Sequence, residues 1–271
     1  MEILYFLLAL MLFQPVVSKQ FRLAARRKQI VNVENARQSR VILLIHRQET
    51  LSFIGFPVAR YIDLNDSEQV LRALRMTRPE TPVDLVLHTP GGLVLAATQI
   101  ARAIHKRKGT VRAIIPHYAM SGGTLIAMAC DEVVMSPHAV LGPVDPQLGQ
   151  FPASSLMKVV QEKPIAEIDD STLILADSAG KAVKQVREIV VELLRDKFPE
   201  KKAQAIADAM TDGRWTHDRP ITVDDLKSVE YPVNDDMPCE FLDLLALYPQ
   251  PVRTTPSVEY VREDRRVTTA R

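Results

Sequence analysis

Two glycine pairs, the second of them beside a serine, are the residues in this sequence best suited to covalent chemistry. Residues 87–92 read LHTPGG and residues 118–124 read YAMSGGT, so the pairs are Gly91–Gly92 and Gly122–Gly123. A serine hydroxyl attacks a carbonyl carbon when a base lies within hydrogen-bond reach and amide donors face the developing oxyanion. The spacing makes Ser121 the candidate nucleophile of an acyl-transfer site built from two backbone turns.

The chain around Ser121 supports this chemistry and also a structural alternative. An apolar helical run over residues 125–129 follows Ser121, so the neighbouring amides face the positive end of a helix. Gly122 leaves room for a substrate carbonyl, and the turn at Gly92 supplies a second amide donor. In the structural alternative, Ser121 only caps the helix and the glycines only permit tight turns. The local pattern leaves both interpretations open.

Alternating apolar strands and amphipathic helices surround the two glycine turns. Strands are predicted over 41–45, 83–87, 111–115 and 132–135, and helices over 65–75, 93–106, 121–130, 170–194 and 201–210. The strand over 41–45 is a continuous run of branched apolar residues, as in a strand buried on both faces. This alternation predicts an α/β fold with a largely parallel sheet and right-handed crossovers. Both glycine turns then lie where a strand ends and a helix begins.

The composition is that of a globular protein without a global charge that would attract a polyanion. The 271 residues are 46% hydrophobic and 25% charged, and the formal net charge is +1. The sequence contains no HExxH, no GxxxxGK[ST], no GxGxxG after a strand and no basic aromatic stripe. We therefore expect no nucleic-acid partner, no metal and no cofactor. Cys130 and Cys239 lack metal-site spacing and are expected to be free thiols.

The first residues form an apolar segment that is followed by a basic one. Residues 3–13 are continuously apolar, and lysines and arginines cluster between residues 19 and 28. A bilayer core requires about 20 apolar residues, so residues 1–18 are interpreted as a short membrane anchor, with a cleaved signal segment as the alternative. Residues 19–40 then form a basic juxtamembrane linker. With residues 3–17 in the membrane, the positive-inside rule places the main domain in the cytoplasm.

The order of three motifs resembles that of a known superfamily. The runs HTPGG, YAMSGGT and ACDEVVMSPHAVLGPVDPQLG follow one another as in the Clp-protease and crotonase superfamily, most closely in its serine dehydrogenase proteinase branch of membrane-associated peptidases. The resemblance implies a peptidase domain over 41–250, built as a spiral of ββα units that assembles into a homo-oligomer. It also implies a nucleophilic Ser121, oxyanion amides at Gly92 and Gly122, and support from Gly91. The charged tail over 251–271 is expected to be mobile.

The base that would activate Ser121 is the point at which the sequence departs from the Clp proteolytic subunit. That relative is expected to carry a histidine where residues 142–147 of this chain read GPVDPQ, and none occurs there. A Ser-His-Asp triad is therefore not expected. Asp145 either bonds the loop backbone or orients a catalytic group. His138 and His217 are interpreted as structural residues.

Related signal-peptide-peptidase and stomatin-cleaving proteases resemble this chain and pair the serine with a lysine on a later helix. A lysine accepts a proton only where burial or a nearby cation lowers its pKa from about 10.4 toward neutrality. Lys181 lies among small residues of the predicted helix 170–194 and is the first candidate, and Lys184 is the second. Lys158 and Lys163 have more polar surroundings and are weaker candidates.

Together these residues predict a membrane-associated, ATP-independent serine endopeptidase that acts on peptides or proteins, with membrane proteins among the candidate substrates. In this hypothesis Ser121 attacks the peptide carbonyl, Lys181 accepts and returns the proton, and the Gly92 and Gly122 amides stabilise the oxyanion. Two alternatives stay open. One is a crotonase-type enzyme that binds an acyl-CoA thioester in the same turns, and the other is a non-catalytic membrane scaffold of the same fold.

Overall fold

Strands and helices alternate along the chain. The computed structural model describes the backbone of residues 2–46, 50–51, 56–57 and 60–248, and the side chains of residues 17, 19–46 and 60–248. The strands are β1 (Arg40–Ile45), β2 (Thr50–Leu51), β3 (Phe56–Pro57), β4 (Val83–His88), β5 (Val111–Ile115), β6 (Tyr118–Ala119), β7 (Glu132–Met135), β8 (Val140–Leu141), β9 (Gln147–Leu148), β10 (Phe151–Pro152) and β11 (Val233–Asn234). The helices are α1 (Glu2–Arg37), α2 (Leu64–Met76), α3 (Val94–His105), α4 (Gly122–Ala129), α5 (Ala153–Glu162), α6 (Asp170–Leu194), α7 (Glu200–Thr211), α8 (Val223–Ser228) and α9 (Cys239–Ala246).

A five-stranded parallel sheet organises the fold, in the order β1-β4-β5-β7-β11. All six residues of β4 are buried, as expected for a strand covered on both faces. The register aligns Ile45 with His88, and β4 and β5 also run in parallel. Their carboxyl ends therefore share one edge of the sheet, and the two glycine turns leave from that edge. The expected α/β fold with a mostly parallel sheet is confirmed.

Helices cover both faces of this sheet. Because alternate residues of a strand face opposite sides, Leu85 and Leu87 pack among residues of α2, α3, α4, α6 and α7. Val86 faces the other way and packs with Val33 of α1 and Phe241 of α9. Every residue of α4 is buried. This packing fixes the start of α4 relative to the sheet edge.

The helices that follow the glycine turns begin without a side-chain cap. Helix α2 begins with a capping box between Asp63 and Asp66, and α8 begins with one between Thr222 and Asp225. Helices α3 and α4 have no side-chain hydrogen bond at their caps. The first amides of a helix lack intrahelical acceptors, so the starts of α3 and α4 keep amide donors for another partner.

The end of α1 is part of the folded domain. Arg37 donates from Nε to Asp84 Oδ2 at 2.7 Å, and this buried carboxylate on β4 also accepts from Ser39 and Arg112. Val33 is 1% exposed. Helix α1 continues without a break across residues 18 and 19, where the sequence suggested a boundary. The last part of the expected linker over 19–40 is therefore packed on the sheet.

The expected terminal segments lie largely outside what the structure describes. Among the described residues there is no helix that is both long and apolar enough to cross a membrane. The single-pass anchor expected at residues 1–18 is not supported by this result, and within that segment the structure describes the side chain of residue 17 alone. The tail over 251–271 also lies outside the described residues.

Candidate active site

Ser121 precedes α4 in a strained backbone conformation. Its φ is 49° and its ψ is −114°, a region that residues with a side chain rarely adopt and that costs about 1–3 kcal/mol. The Ser121 side chain makes no capping hydrogen bond to α4, so the interpretation of Ser121 as only a helix cap is not supported. Strain of this kind is typical of residues whose side chain is held in one direction at a functional site.

Backbone hydrogen bonds join the turn after β4 to the turn after β5. The Thr89 amide donates to the Tyr118 carbonyl at 3.2 Å, and the Met120 amide donates to the Thr89 carbonyl at 2.9 Å. Gly91 has a φ of 106°, and a Cβ atom built on it would lie 2.8 Å from the Cβ of Ser121. Only glycine therefore fits at this position, and the two turns lie side by side.

Two backbone amides converge beside Ser121. The Gly91 carbonyl accepts from the Ile62 amide at 2.7 Å, and because the C=O and N–H of a trans peptide point in opposite directions, the Gly92 N–H points away from Ile62. A Cβ atom built on Gly122 would lie 3.5 Å from the Gly92 nitrogen, so the first amide of α4 is close to it. Neither amide donates to an acceptor within the described ranges. This arrangement can receive an oxyanion.

Ser121, Gly92 and Gly122 line one cavity of about 310 Å³. Apolar side chains form part of its wall, and these belong to Leu93, Val94, Leu125, Val144 and Val186. Polar side chains form another part, and these belong to Asp145, Gln147 and His217. A carbonyl group in this cavity would meet a serine hydroxyl, two amides and a histidine paired with an aspartate.

His217 and Asp145 form a hydrogen-bonded pair in this cavity. His217 Nδ1 lies 2.7 Å from Asp145 Oδ1, and Gln147 Nε2 donates to Asp145 Oδ2 at 2.7 Å. The Asp145 side chain is 3% exposed and that of His217 is 36% exposed. The hydrogen bond to this carboxylate raises the pKa of His217 above its usual value, although partial burial opposes the change. Because a carboxylate only accepts, Nδ1 carries the hydrogen and Nε2 is the nitrogen available to a substrate or a nucleophile.

The loop that carries His217 is fixed to the segment that carries Asp145. Leu141 and Ile221 exchange two backbone hydrogen bonds of 2.9 Å each. This bridge stands four residues before Asp145 and four residues after His217, so it sets the relative position of the two side chains. The sequence indicated a structural role for His217, whereas the structure pairs it with Asp145 at the Ser121 cavity, so that a catalytic role for the pair becomes a hypothesis. The two residues lie 72 positions apart, and no local spacing reveals such a pair.

Lys181 is placed elsewhere. Its Nζ lies 2.5 Å from Asp177 Oδ2, four residues earlier on α6, with side chains that are 69% and 64% exposed. Lys181 lines a separate cavity between α5 and α6, whereas Val186 is the residue of α6 that lines the Ser121 cavity. The expected Ser121–Lys181 dyad is not confirmed, because Lys181 is exposed, pairs with Asp177 and lines a different cavity from Ser121.

The other lysines that the sequence suggested are also outside the Ser121 cavity. Lys184 lies 4.0 Å from Glu188, and Lys158 lies 3.7 Å from Glu162. Lys163 donates to the Glu167 carbonyl at 3.1 Å. Each of these contacts is an exposed interaction between residues four positions apart in the sequence.

The remaining candidate residues carry no chemistry at this site. His138 is exposed in a turn, as expected. Cys130 is a buried free thiol and Cys239 an exposed one. The residues that the structure describes include no group of three or more His, Cys, Asp or Glu side chains placed to hold a metal ion.

Comparison with known proteins gives a match along almost the whole chain. A family model described as ClpP-like SDH-type serine proteinase matches residues 1–269. An uncharacterised protein of Methanocaldococcus jannaschii is 48% identical over 262 residues, which are 96% of this chain and 89% of that protein. The probable protease SohB of Haemophilus influenzae is 34% identical over 82 residues, which are 28% of this chain and 23% of that protein.

A comparison with solved structures finds a distant likeness. A variant of the 1510-N membrane-bound stomatin-specific protease shares 20% identity with this chain at a TM-score of 0.45. The match covers 68% of this chain and 79% of the other.

Proposed function

This chain belongs to the family of ClpP-like SDH-type serine proteinases, and we propose that it hydrolyses peptide bonds with Ser121 as the nucleophile. One observation carries the proposal. A single cavity holds a strained serine, the Gly92 and Gly122 amides, which have no acceptor among the described residues, and a buried aspartate that orients a histidine. Family membership favours this function over the acyl-CoA enzyme and over the non-catalytic scaffold.

In the proposed reaction His217 is the general base. With its Nδ1–H donated to Asp145, the imidazole offers the lone pair of Nε2 to the Ser121 hydroxyl proton. The Ser121 oxygen then bonds the substrate carbonyl carbon, and the resulting oxyanion accepts from the Gly92 and Gly122 amides. The imidazolium returns the proton to the leaving amine, and water completes hydrolysis of the acyl-enzyme by the same route.

A lysine base is the competing proposal. It requires Lys181 to leave Asp177 and to reach the cavity from the exposed side of α6. Val186 occupies the inner side of the same helix, so this route needs a rearrangement of α6 or a contribution from another copy of the chain.

A fluorophosphonate probe tests the nucleophile directly, because it forms a covalent bond only with an activated serine. We expect one labelled residue, identified as Ser121 by peptide mass spectrometry. Ser121→Ala is expected to abolish labelling while leaving the thermal unfolding midpoint within a few degrees of the parent. Labelling that persists in Ser121→Ala would overturn the assignment.

Endopeptidase activity without ATP is a further part of the proposal. The sequence carries no phosphate-binding GxxxxGK[ST] loop, which supports independence from ATP. Digestion of unfolded casein is expected to yield internal fragments at the same rate with and without ATP and Mg²⁺. Stimulation by ATP, or release of single terminal residues only, would refute this part.

Membrane attachment and self-assembly complete the proposal. The continuous apolar run over residues 3–13 supports attachment through residues 3–17. Exposed apolar side chains beside α5 and α6, among them Ile165 at 73% and Ile174 at 67%, support a homo-oligomer. Resistance of membrane-bound protein to carbonate extraction, and light scattering of purified protein, measure the two properties separately.

A further inference from the structure

A buried histidine stands behind the Gly91–Gly92 turn. His46 follows β1 and is 5% exposed. Its Nδ1 lies 2.8 Å from Thr89 Oγ1, and its Nε2 lies 3.1 Å from Asp66 Oδ2. The Gly91 amide donates to the same Thr89 hydroxyl oxygen at 3.2 Å. A chain of hydrogen bonds therefore runs from the start of α2 to the turn that carries Gly92.

The chemistry of the partners sets the direction of each hydrogen bond. The Asp66 carboxylate only accepts, so His46 carries its hydrogen on Nε2. Burial lowers the pKa of His46, against the opposite effect of Asp66, with Arg60 lowering it further and Asp63 raising it. The lowered pKa favours the neutral ring, in which Nδ1 accepts from the Thr89 hydroxyl. This leaves a lone pair of Thr89 Oγ1 for the Gly91 amide.

Thr89 touches both turns of the candidate active site. Its backbone bonds to Tyr118 and Met120, just before Ser121, and its side chain bonds to Gly91. Glycine has wide backbone freedom, so the orientation of the Gly91–Gly92 peptide depends on contacts from outside the turn. The Gly91–Gly92 peptide is held by the Ile62 amide, which donates to the Gly91 carbonyl, and by Thr89 Oγ1, which lies 3.4 Å from the same carbonyl oxygen. The bond from the Gly91 amide to Thr89 Oγ1 holds the preceding peptide of the turn.

We propose that His46 and Thr89 are positioning residues, which hold the Gly92 amide in the direction that an oxyanion requires. Neither residue lines the Ser121 cavity, so each acts through Gly91. The inference rests on the proposed peptidase function. It adds a third condition for activity besides the nucleophile and the base. The hydroxyl of Thr89 must keep one orientation while the reaction proceeds.

The test compares isosteric changes at two buried threonines. Thr89→Val removes the hydroxyl and keeps the shape, whereas Thr89→Ser keeps the hydroxyl. Thr98→Val is the matched control, since Thr98 is buried on α3 and its hydroxyl has no hydrogen-bond partner among the described residues. The readouts are the rate constant of fluorophosphonate labelling at Ser121, kcat and KM on a peptide substrate, and the thermal unfolding midpoint.

Loss of one oxyanion donor typically lowers kcat by about 10²–10³-fold, so misorientation of one donor in Thr89→Val is expected to lower kcat by about tenfold. KM is expected to stay within about twofold, because the amide acts on the transition state. Thr89→Ser and Thr98→Val are expected to react at the parent rate. His46→Phe is expected to lower kcat by a similar factor. The double variant His46→Phe/Thr89→Val is expected to have the same kcat as either single variant, because the two residues act through one another.

The possible results separate the two proposals. If the parent protein is not labelled at Ser121, the peptidase function fails and the positioning role fails with it. If the parent is labelled and Thr89→Val reacts equally fast, only the positioning role is overturned. Independent, multiplicative losses at His46 and Thr89 would also overturn it, as would a loss of rate that merely follows the unfolding midpoint.

Discussion

Two aspartate-paired nitrogen groups of this protein have nearly the same local geometry and opposite surroundings. Lys181 lies 2.5 Å from Asp177, and His217 lies 2.7 Å from Asp145. Asp177 is 64% exposed and Asp145 is 3% exposed. The exposed pair is a local contact within one helix, whereas the pair with the buried aspartate joins two distant segments that line the Ser121 cavity. Short distances alone therefore do not identify a catalytic base, because burial and the shared cavity decide what the pair can do.

Replacing the two nitrogen groups is the strongest way to break this comparison. We expect His217→Ala to lower the rate of Ser121 labelling by about 10²–10⁴-fold, the contribution typical of a positioned general base. Lys181→Met is the matched change and is expected to label at the parent rate. A loss confined to Lys181→Met would reverse the assignment and restore the lysine dyad.

Replacement of the two aspartates gives the next largest expected difference between the two pairs. Asp145→Asn is expected to lower kcat by about 10²-fold or more, because the amide no longer fixes the His217 tautomer. Asp177→Asn is expected to leave kcat unchanged. Unequal thermal unfolding midpoints of the two variants would show whether folding contributes to the difference.

The pH dependence of the parent and of Asp145→Asn follows from the same pair. Because Asp145 raises the pKa of His217, the neutral base forms only as the pH rises through that raised value, and kcat/KM should rise with it. Asp145→Asn removes the cause and is expected to move this limb to lower pH. If the rising part of the kcat/KM profile stays at the same pH in Asp145→Asn, a group other than His217 controls it.

The glycines of the two regions should respond oppositely to a methyl group. A Cβ atom on Gly92 would lie 2.3 Å from backbone atoms of Ile62, whereas one on Gly180, next to Lys181, would have no atom within 4 Å. We expect Gly92→Ala to lower the free energy of unfolding by about 1–3 kcal/mol and Gly180→Ala to raise it by about 0.5–1 kcal/mol. Urea unfolding curves of the two variants measure both, and equal signs would contradict the comparison.

The smallest expected effect is the energy of the exposed pair itself. An exposed pair four residues apart on a helix contributes about 0.3–0.5 kcal/mol. A double-mutant cycle with Asp177→Ala and Lys181→Ala should give a coupling in that range that declines with added salt. A coupling several times larger would indicate that Lys181 is less exposed in solution than its structure implies.

The amino-acid sequence was sufficient to predict the elements that carry the site. The helix over 170–194 has the predicted bounds, and the strands over 83–87 and 111–115 are present with at most one added residue. Long periodic or continuously apolar segments specify such elements because the pattern of burial repeats along them. Helices α5 and α9 lie in segments that contain several prolines, and for these segments the sequence predicts turns and no helix.

The sequence predicts only part of the candidate active site. Ser121 and the glycine turns are adjacent to strand ends, so their chemistry and their place in the sheet follow from local sequence. His46, Thr89 and Asp66 act together only because three separate segments meet behind Gly91. Such a network has no spacing that a linear pattern displays.

Residue order by itself thus determines a parallel α/β fold, a serine at the start of a helix and two glycine turns at strand ends. The tertiary structure alone decides which nitrogen shares a cavity with that serine. It buries Asp145 and brings His217 to it across 72 positions, and it leaves Lys181 in water beside Asp177. The physical reason is that a backbone turn depends on neighbouring residues, whereas the burial of a charge depends on every segment that packs around it.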